Sequence, residues 1–169
     1  SRIYAKYSTL YRYPFADEQV SFYGLSDGFN LTLNPETGKS YEIGGDYSPI
    51  ENLTIILSLF QMNLKDEIVW DNVLSKNINL DETNHRGVEI YMSYHIKELM
   101  NFIGKYAYHK AEFEKGVYNG KELPFVPNHH FSAGLDFTLP YNIHLCPEMI
   151  YVSDSFLGND FDNSSEKLD

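Results

Sequence analysis

From Val88 to Lys97 the character of the chain changes with every residue. Val88, Ile90, Met92, Tyr94 and Ile96 are apolar, whereas Glu89, Tyr91, Ser93, His95 and Lys97 carry charges, a hydroxyl or an imidazole. A period of two is that of a β-strand, because successive side chains leave a strand on opposite faces. His129 to Leu139 alternates in the same way, with Phe131, Ala133, Leu135, Phe137 and Leu139 set against His130, Ser132, Asp136 and Thr138. Tyr41, Ile43, Gly45 and Tyr47 oppose Glu42, Asp46 and Ser48. Phe102, Gly104, Tyr106 and Tyr108 form one face that becomes charged at Lys110, Glu112 and Glu114. A strand is also predicted from Leu53 to Trp70. It is apolar on both parities from Ile55 to Phe60, and its even set (Ile56, Phe60, Met62, Leu64, Ile68, Trp70) is expected on the apolar face. With a strand at Ser1 to Tyr7 and a last one reaching Ser153, the chain reads as all-β, an antiparallel meander of about seven strands.

Alternation alone fits two solvents. A soluble sandwich packs the apolar face inward, whereas a membrane barrel turns it outward to lipid. Connection length separates the two. Long polar segments at 8–39, 71–82, 115–128 and 154–169 alternate with short turns at Pro49–Asn52, Lys97–Met100 and Pro140–Asn142. Long loops at one end and tight turns at the other are the pattern of a transmembrane β-barrel. Tyr141 and Tyr151 are an even number of residues apart, a spacing that at ~3.3 Å per residue and a tilt of roughly 40° matches two aromatic girdles about 25 Å apart.

Composition narrows the function. Aromatic residues make up 15% of the 169, as 14 Tyr, 11 Phe and one Trp, and tyrosine suits a boundary between oil and water. A net charge of -11 repels phosphates and argues against nucleic acid. Cys146 has no partner for an internal disulfide. No apolar run approaches the ~18 residues of a spanning helix. The start in what looks like mid-strand and the end in a polar loop lead us to expect part of a longer barrel.

Several short motifs, in order, resemble landmarks of a known family. Tyr11-Arg-Tyr-Pro-Phe-Ala-Asp-Glu18 is followed by Leu33-Asn-Pro-Glu-Thr-Gly-Lys-Ser-Tyr-Glu-Ile-Gly44, Lys65-Asp-Glu-Ile68 and Asn84-His-Arg-Gly-Val-Glu89. Tyr106-Ala-Tyr108 and Gly120-Lys-Glu-Leu-Pro-Phe-Val-Pro-Asn-His129 complete the series. Together they resemble the barrel of TonB-dependent outer-membrane receptors over nearly the whole chain. The resemblance implies a bacterial outer-membrane protein of roughly 22 strands around a separate plug, importing a scarce solute such as an iron-siderophore or cobalamin. The partners it implies are the plug and remaining barrel strands, TonB acting through an N-terminal region not among these residues, a small-molecule or metal-chelate ligand, and outer-membrane lipid. A soluble carbohydrate-binding sandwich and a passive porin or adhesin barrel are the alternative classes.

Candidate site residues follow from this reading. Val88, Ile90, Met92, Tyr94, Ile96, Phe131, Leu135 and Phe137 are expected to face lipid. Tyr11, Arg12, Tyr13, Phe15, Tyr23 and Phe29, in the first long loop, are candidate ligand contacts, or else pack that loop on the barrel rim. His129 and His130 are neighbours on a strand, point to opposite faces and do not chelate one ion easily. His85 and His109 are expected as rim or lumen residues. Asn159 to Asn163 reads as a solvated acidic loop, and Gly87 as a close approach of strands. No nucleophile–base pair, phosphate loop or zinc motif is present, so no enzyme, cofactor or metal is expected.

Overall fold

The computed structural model describes residues 1–21, 24–96 and 99–168. Its elements are β1 (Arg2–Arg12), β2 (Val20–Ser21), β3 (Gly24–Phe29), β4 (Glu36–Ile50), β5 (Leu53–Lys65), β6 (Ile68–Asp71) and β7 (Lys76–Asn79). They continue as β8 (Glu82–Ile96), β9 (Met100–Phe113), β10 (His129–Leu139), a single 3-10 turn (Pro140–Asn142), β11 (Ile143–Leu145) and β12 (Glu148–Val152). Among the described residues no helix is long and apolar enough to cross a membrane, which says nothing of crossing by strands.

One antiparallel sheet runs β1-β4-β5-β8-β9-β10, and β11 and β12 both pair with the far edge of β10. These two are one strand interrupted. Leu145 lies opposite Phe137 and Met149 opposite Ala133, so no residue is gained or lost between them. The break falls at Pro147, which has no N–H to give the ladder, although its carbonyl still accepts from the Leu135 N–H at 3.0 Å. The pairs Ile50–Leu53, Ile96–Met100 and Leu139–Ile143 close the short turns, all at one end of the sheet. The long connections lie at the other.

Register assigns the faces, since directly opposed residues share one. Val88 aligns with Leu59 and Tyr108, Ile90 with Leu57 and Tyr106, and Met92 with Ile55 and Gly104. Tyr106, Phe102 and Met100 in turn oppose Phe131, Leu135 and Phe137. The eight residues predicted as one apolar face therefore do share one. On β5 the prediction is corrected, because it is the odd set, Ile55, Leu57 and Leu59, that joins them. The even residues fall on the polar face, where two of them cover glycines of neighbouring strands. The Phe60 ring lies over Gly87, where an added Cβ would come within 2.7 Å of it, and Leu64 covers Gly38 in the same way. The strand also stops earlier than predicted. Asp66 takes a left-handed φ of 58° and ends β5, so Ile68 and Trp70 belong to the separate β6–β7 hairpin.

Burial in this sheet is inverted relative to a water-soluble protein. On the apolar face Ile3 is 84% exposed, Ile43 52% and Ile90 38%, while on the polar face Ser58, Ser93, Thr83 and His85 are buried beside the exposed Ile56 and Ile103. Leaving that much apolar surface in water costs ~25 cal/mol per Å², so the exposed face calls for an apolar solvent. The strands also outrun a bilayer. β4 and β8 have 15 residues each, more than the ~9–11 that cross hydrocarbon, and their outer faces turn polar toward the long loops. The change falls near Tyr7 and Tyr41, whose rings touch at 5.3 Å, and Arg86 and Lys110 stand at the same level.

Two predicted loops are corrected by these strand lengths. The segment 8–39 is not loop throughout: β1 continues to Arg12, β4 begins at Glu36, and the connection holds the small β2–β3 hairpin. Thr9, Thr37 and Lys39 sit in paired strands above the apolar band, where both faces meet water and alternation disappears. The segment 71–82 likewise contains β7 and the start of β8. Tyr141 belongs to the turn, with a φ of 67°, so its face cannot be counted along a strand from Tyr151.

Candidate functional site

At the loop end the chain builds an ordinary hydrophobic core. Phe113 and Ala111 at the end of β9 are joined by Leu80, Leu123 and Phe161 from three different connections, all of them buried. The rings of Phe113, Tyr118 and Phe161 pack mutually, tilted or edge-on, at 5.5 to 5.8 Å between centroids. Polar side chains then fasten segment to segment. Asn77 Nδ2 donates to the Glu18 carbonyl at 2.9 Å, and Asn30 Nδ2 to the Asn77 carbonyl at 2.8 Å. Asn79 Nδ2 reaches the Asn34 and Asp66 carbonyls, and Asn159 Nδ2 reaches Asp71 Oδ1 at 3.3 Å. The β6–β7 hairpin thereby ties residues 13–35 on one side to residues 153–168 on the other.

Arg12 anchors the first connection. Its guanidinium donates to both Glu36 carboxylate oxygens, at 2.6 and 2.7 Å, and to Glu18 at 2.8 and 2.9 Å, and it lies 5.4 Å from the centre of the Phe15 ring. Glu36 also accepts the Ile68 N–H at 2.8 Å. Burial pushes the Glu36 carboxyl up, but the bonds from Arg12 and Ile68 outweigh it, and its pKa lies below the ordinary range. Glu36, then Glu18, pushes Arg12 further up. Two carboxylates on one half-buried guanidinium clamp two segments and leave the arginine little capacity for another anion.

A second polar cluster sits on the same face. Glu67 Oε2 accepts from Thr83 Oγ1 at 2.7 Å and lies 3.2 Å from His85 Nε2. The other ring nitrogen, His85 Nδ1, faces His109 Nε2 at 3.2 Å. Glu67 and His109 thus occupy opposite sides of the His85 ring and do not converge on a point. Among the described residues no group of three or more His, Cys, Asp or Glu is placed to hold a metal ion.

The candidate ligand contacts separate. Tyr11 is on the outer, apolar face of β1 and meets the Tyr13 ring edge-on at 4.7 Å, whereas Arg12 is on the polar face, ion-paired. Tyr13, Phe15 and Phe29 are exposed, and Tyr23 lies outside the described residues. Asp160 accepts the Ser164 and Ser165 N–H groups, so the acidic loop 159–163 is tied to its own backbone. The Glu18–Arg12–Glu36 clamp and the Glu67–His85–His109 chain were not predicted, because their members lie 6 to 24 residues apart and meet only through strand register.

A sheet with one continuous apolar face, a mainly polar opposite face and loops gathered at one end is the wall of a transmembrane β-barrel. The comparisons with known proteins agree. The family model "TonB dependent receptor-like, beta-barrel" matches residues 1–168, and the chain belongs to that family. The "Iron-regulated outer membrane virulence protein" of Vibrio cholerae is 28% identical over 150 residues, which is 77% of this chain and 23% of that protein. Among solved structures, the ferric citrate transporter FecA superposes with a TM-score of 0.69 at 22% identity, covering 97% of this chain and 24% of FecA. The ferric yersiniabactin uptake receptor FyuA from Yersinia pestis gives 0.68 at 19%, covering 96% and 24%. The chain spans about a quarter of the length of the curated relatives it matches. It is an outer-membrane protein.

Proposed function

We propose that these residues form wall and external loops of a receptor that imports an iron chelate across the bacterial outer membrane. The observation that carries this reading is the inverted sheet, apolar outside and polar inside, whose loops are held in one fixed assembly at one end. In the complete protein the lumenal face would meet a plug, the outer face lipid, and TonB would supply the energy through a region beyond these residues. Relatives named for ferric citrate, ferric yersiniabactin and iron regulation favour an iron chelate over cobalamin. No chemical step falls to this chain, which acts as receptor and conduit rather than enzyme.

Ligand contact is assigned to exposed aromatics of the first connection, Tyr13, Phe15 and Phe29, with Tyr23 a further candidate. Arg12 acts by holding that connection in place, and Tyr11 by packing on Tyr13 at the outer rim. The test is equilibrium binding by the purified complete receptor of a panel comprising ferric citrate, ferric hydroxamates, ferric catecholates and cobalamin. Saturable binding of one ferric chelate, weakened by Phe15→Ala together with Tyr13→Ala, supports the reading. Binding of cobalamin alone, or of nothing in the panel while cells lacking the gene grow normally under iron limitation, overturns it.

A further inference from the structure

The Glu67–His85–His109 chain joins a connecting segment to the barrel wall through a carboxylate and two imidazoles. His85 is on β8 and His109 on β9, adjacent strands, and both side chains are on the polar face. Glu67 opens the 66–81 connection, where its carbonyl accepts the Leu80 N–H at 2.8 Å and Asp66 N–H donates to the Asp81 carbonyl at 3.2 Å. The same connection carries the Asn77, Asn79 and Asp71 contacts to the segments on either side. The Glu67 side chain adds the tie to β8, through Thr83 and His85.

Proton counting limits the states of this chain. Nδ1 of His85 and Nε2 of His109 face each other at 3.2 Å, so only one of them can hold a hydrogen between them. A second proton would put two N–H groups, and two positive charges, head to head. With one extra proton on the pair, His85 donates from Nδ1 to His109 and from Nε2 to Glu67, and the contact with the connection is a charge-assisted bond. With none, Glu67 keeps only a neutral donor from His85 and the Thr83 hydroxyl at 2.7 Å. Burial, and then the neighbouring His85, pushes the His109 imidazole down while Glu67 opposes them, so His109 is the acceptor of the pair. Around the pair β5 contributes Phe60 and Met62, which do not titrate, and Asn128 bonds the His109 carbonyl at 3.1 Å. Arg86, Lys110 and Glu112 pair with one another on the opposite face of the same strands.

We propose that one extra proton on the pair, held by His85 with His109 as the acceptor behind it, latches the 66–81 connection to the barrel wall through Glu67, so that the loop assembly is tight at mildly acidic pH and loosens when that proton is lost at higher pH. The inference rests on the reading of these loops as the external mouth of a receptor. It concerns how firmly that mouth is held, whichever solute passes.

The test is hydrogen exchange of the complete, ligand-free receptor in detergent micelles, followed by mass spectrometry of peptides covering 66–81. After correction for base-catalysed intrinsic exchange, protection of this segment is expected to be about fivefold greater at pH 6 than at pH 8.5, the difference between a charge-assisted and a neutral bond. Glu67→Gln and His85→Gln should each abolish that difference. His109→Gln should keep it, because its amide oxygen can still accept from His85. A wild-type segment whose protection does not change with pH overturns the latch, as does a Glu67→Gln receptor that retains the change. Since no ligand is added, a receptor that proves to carry something other than iron still gives a readable result.

Discussion

The two ends of this sheet solve opposite problems with the same strands. Toward the short turns, Ile90, Leu57 and Ile43 are bare and Ser58 and Ser93 are covered, an arrangement that makes sense only with oil outside and polar contents inside. Toward the long loops, Phe113, Leu80 and Phe161 are buried and charges are paired at the surface, as in any protein in water. β8 and β9 pass from one regime to the other within 15 and 14 residues. Stability at the first end depends on the solvent, and at the second on side chains packing on each other. The two should therefore fail independently.

The largest expected effect is at the loop end. Phe113→Ala removes the ring that Tyr118 and Phe161 pack upon, at a local cost of about 3 to 5 kcal/mol. Hydrogen exchange of residues 114–128 and 153–168 should accelerate, while the heat-shifted gel mobility of the barrel stays unchanged. Ile90→Arg attacks the other end. A charge at mid-band costs ~2 to 4 kcal/mol, read as a lower denaturant midpoint for the complete receptor in lipid vesicles, whereas Glu89→Gln on the opposite face hardly matters. Equal effects of those two substitutions would show the faces to be misassigned.

A smaller loss is expected at Gly87. Alanine there would push a methyl into the Tyr108 backbone carbonyl as well as the Phe60 ring, costing about 1 to 3 kcal/mol in barrel stability, and Phe60→Leu in the same receptor should fail to restore it because the carbonyl belongs to the paired strand. Smallest is the pH response of the Arg12 clamp. The folded pKa of Glu36 is depressed, so its contribution is complete above the ordinary glutamate value of 4.5 and is lost as pH falls through the lower folded value. Protection of residues 13–35 should thus hold through neutrality and drop in acid, and Glu36→Gln should remove the drop. The histidine latch has the opposite sign, being tighter at the lower pH, so the two connections separate on one pH series.

What the sequence showed and what it hid divide along the same line. Alternation in Val88–Ile96 and Phe131–Leu139, and the long and short connections, are local signals, so the sheet and its faces there were readable. β5 misled because apolar residues on both parities serve two purposes: Leu57 meets the outer solvent while Phe60 and Leu64 cover glycines of neighbouring strands. That partnership is visible only in the register. The strand ends above the apolar band were read as loop because Thr9, Thr37 and Lys39 are in water on both faces and lose the alternation. The clamp and the histidine pair were hidden for the same reason as β5, since Arg12 meets Glu36, and His85 meets His109, across strands that the sequence keeps 24 residues apart.

The central claim is that the apolar face looks outward into lipid. It is tested most directly by spin labels placed one at a time at residues 88–96 of the complete receptor in vesicles, with Cys146 replaced, comparing collision rates with oxygen and with a water-soluble nickel chelate. The account predicts a period of two, oxygen collisions peaking at Val88, Ile90, Met92, Tyr94 and Ile96, and nickel or neither reagent dominating at Glu89, Tyr91, Ser93 and His95. A reversed phase, or nickel access on both parities, would contradict it.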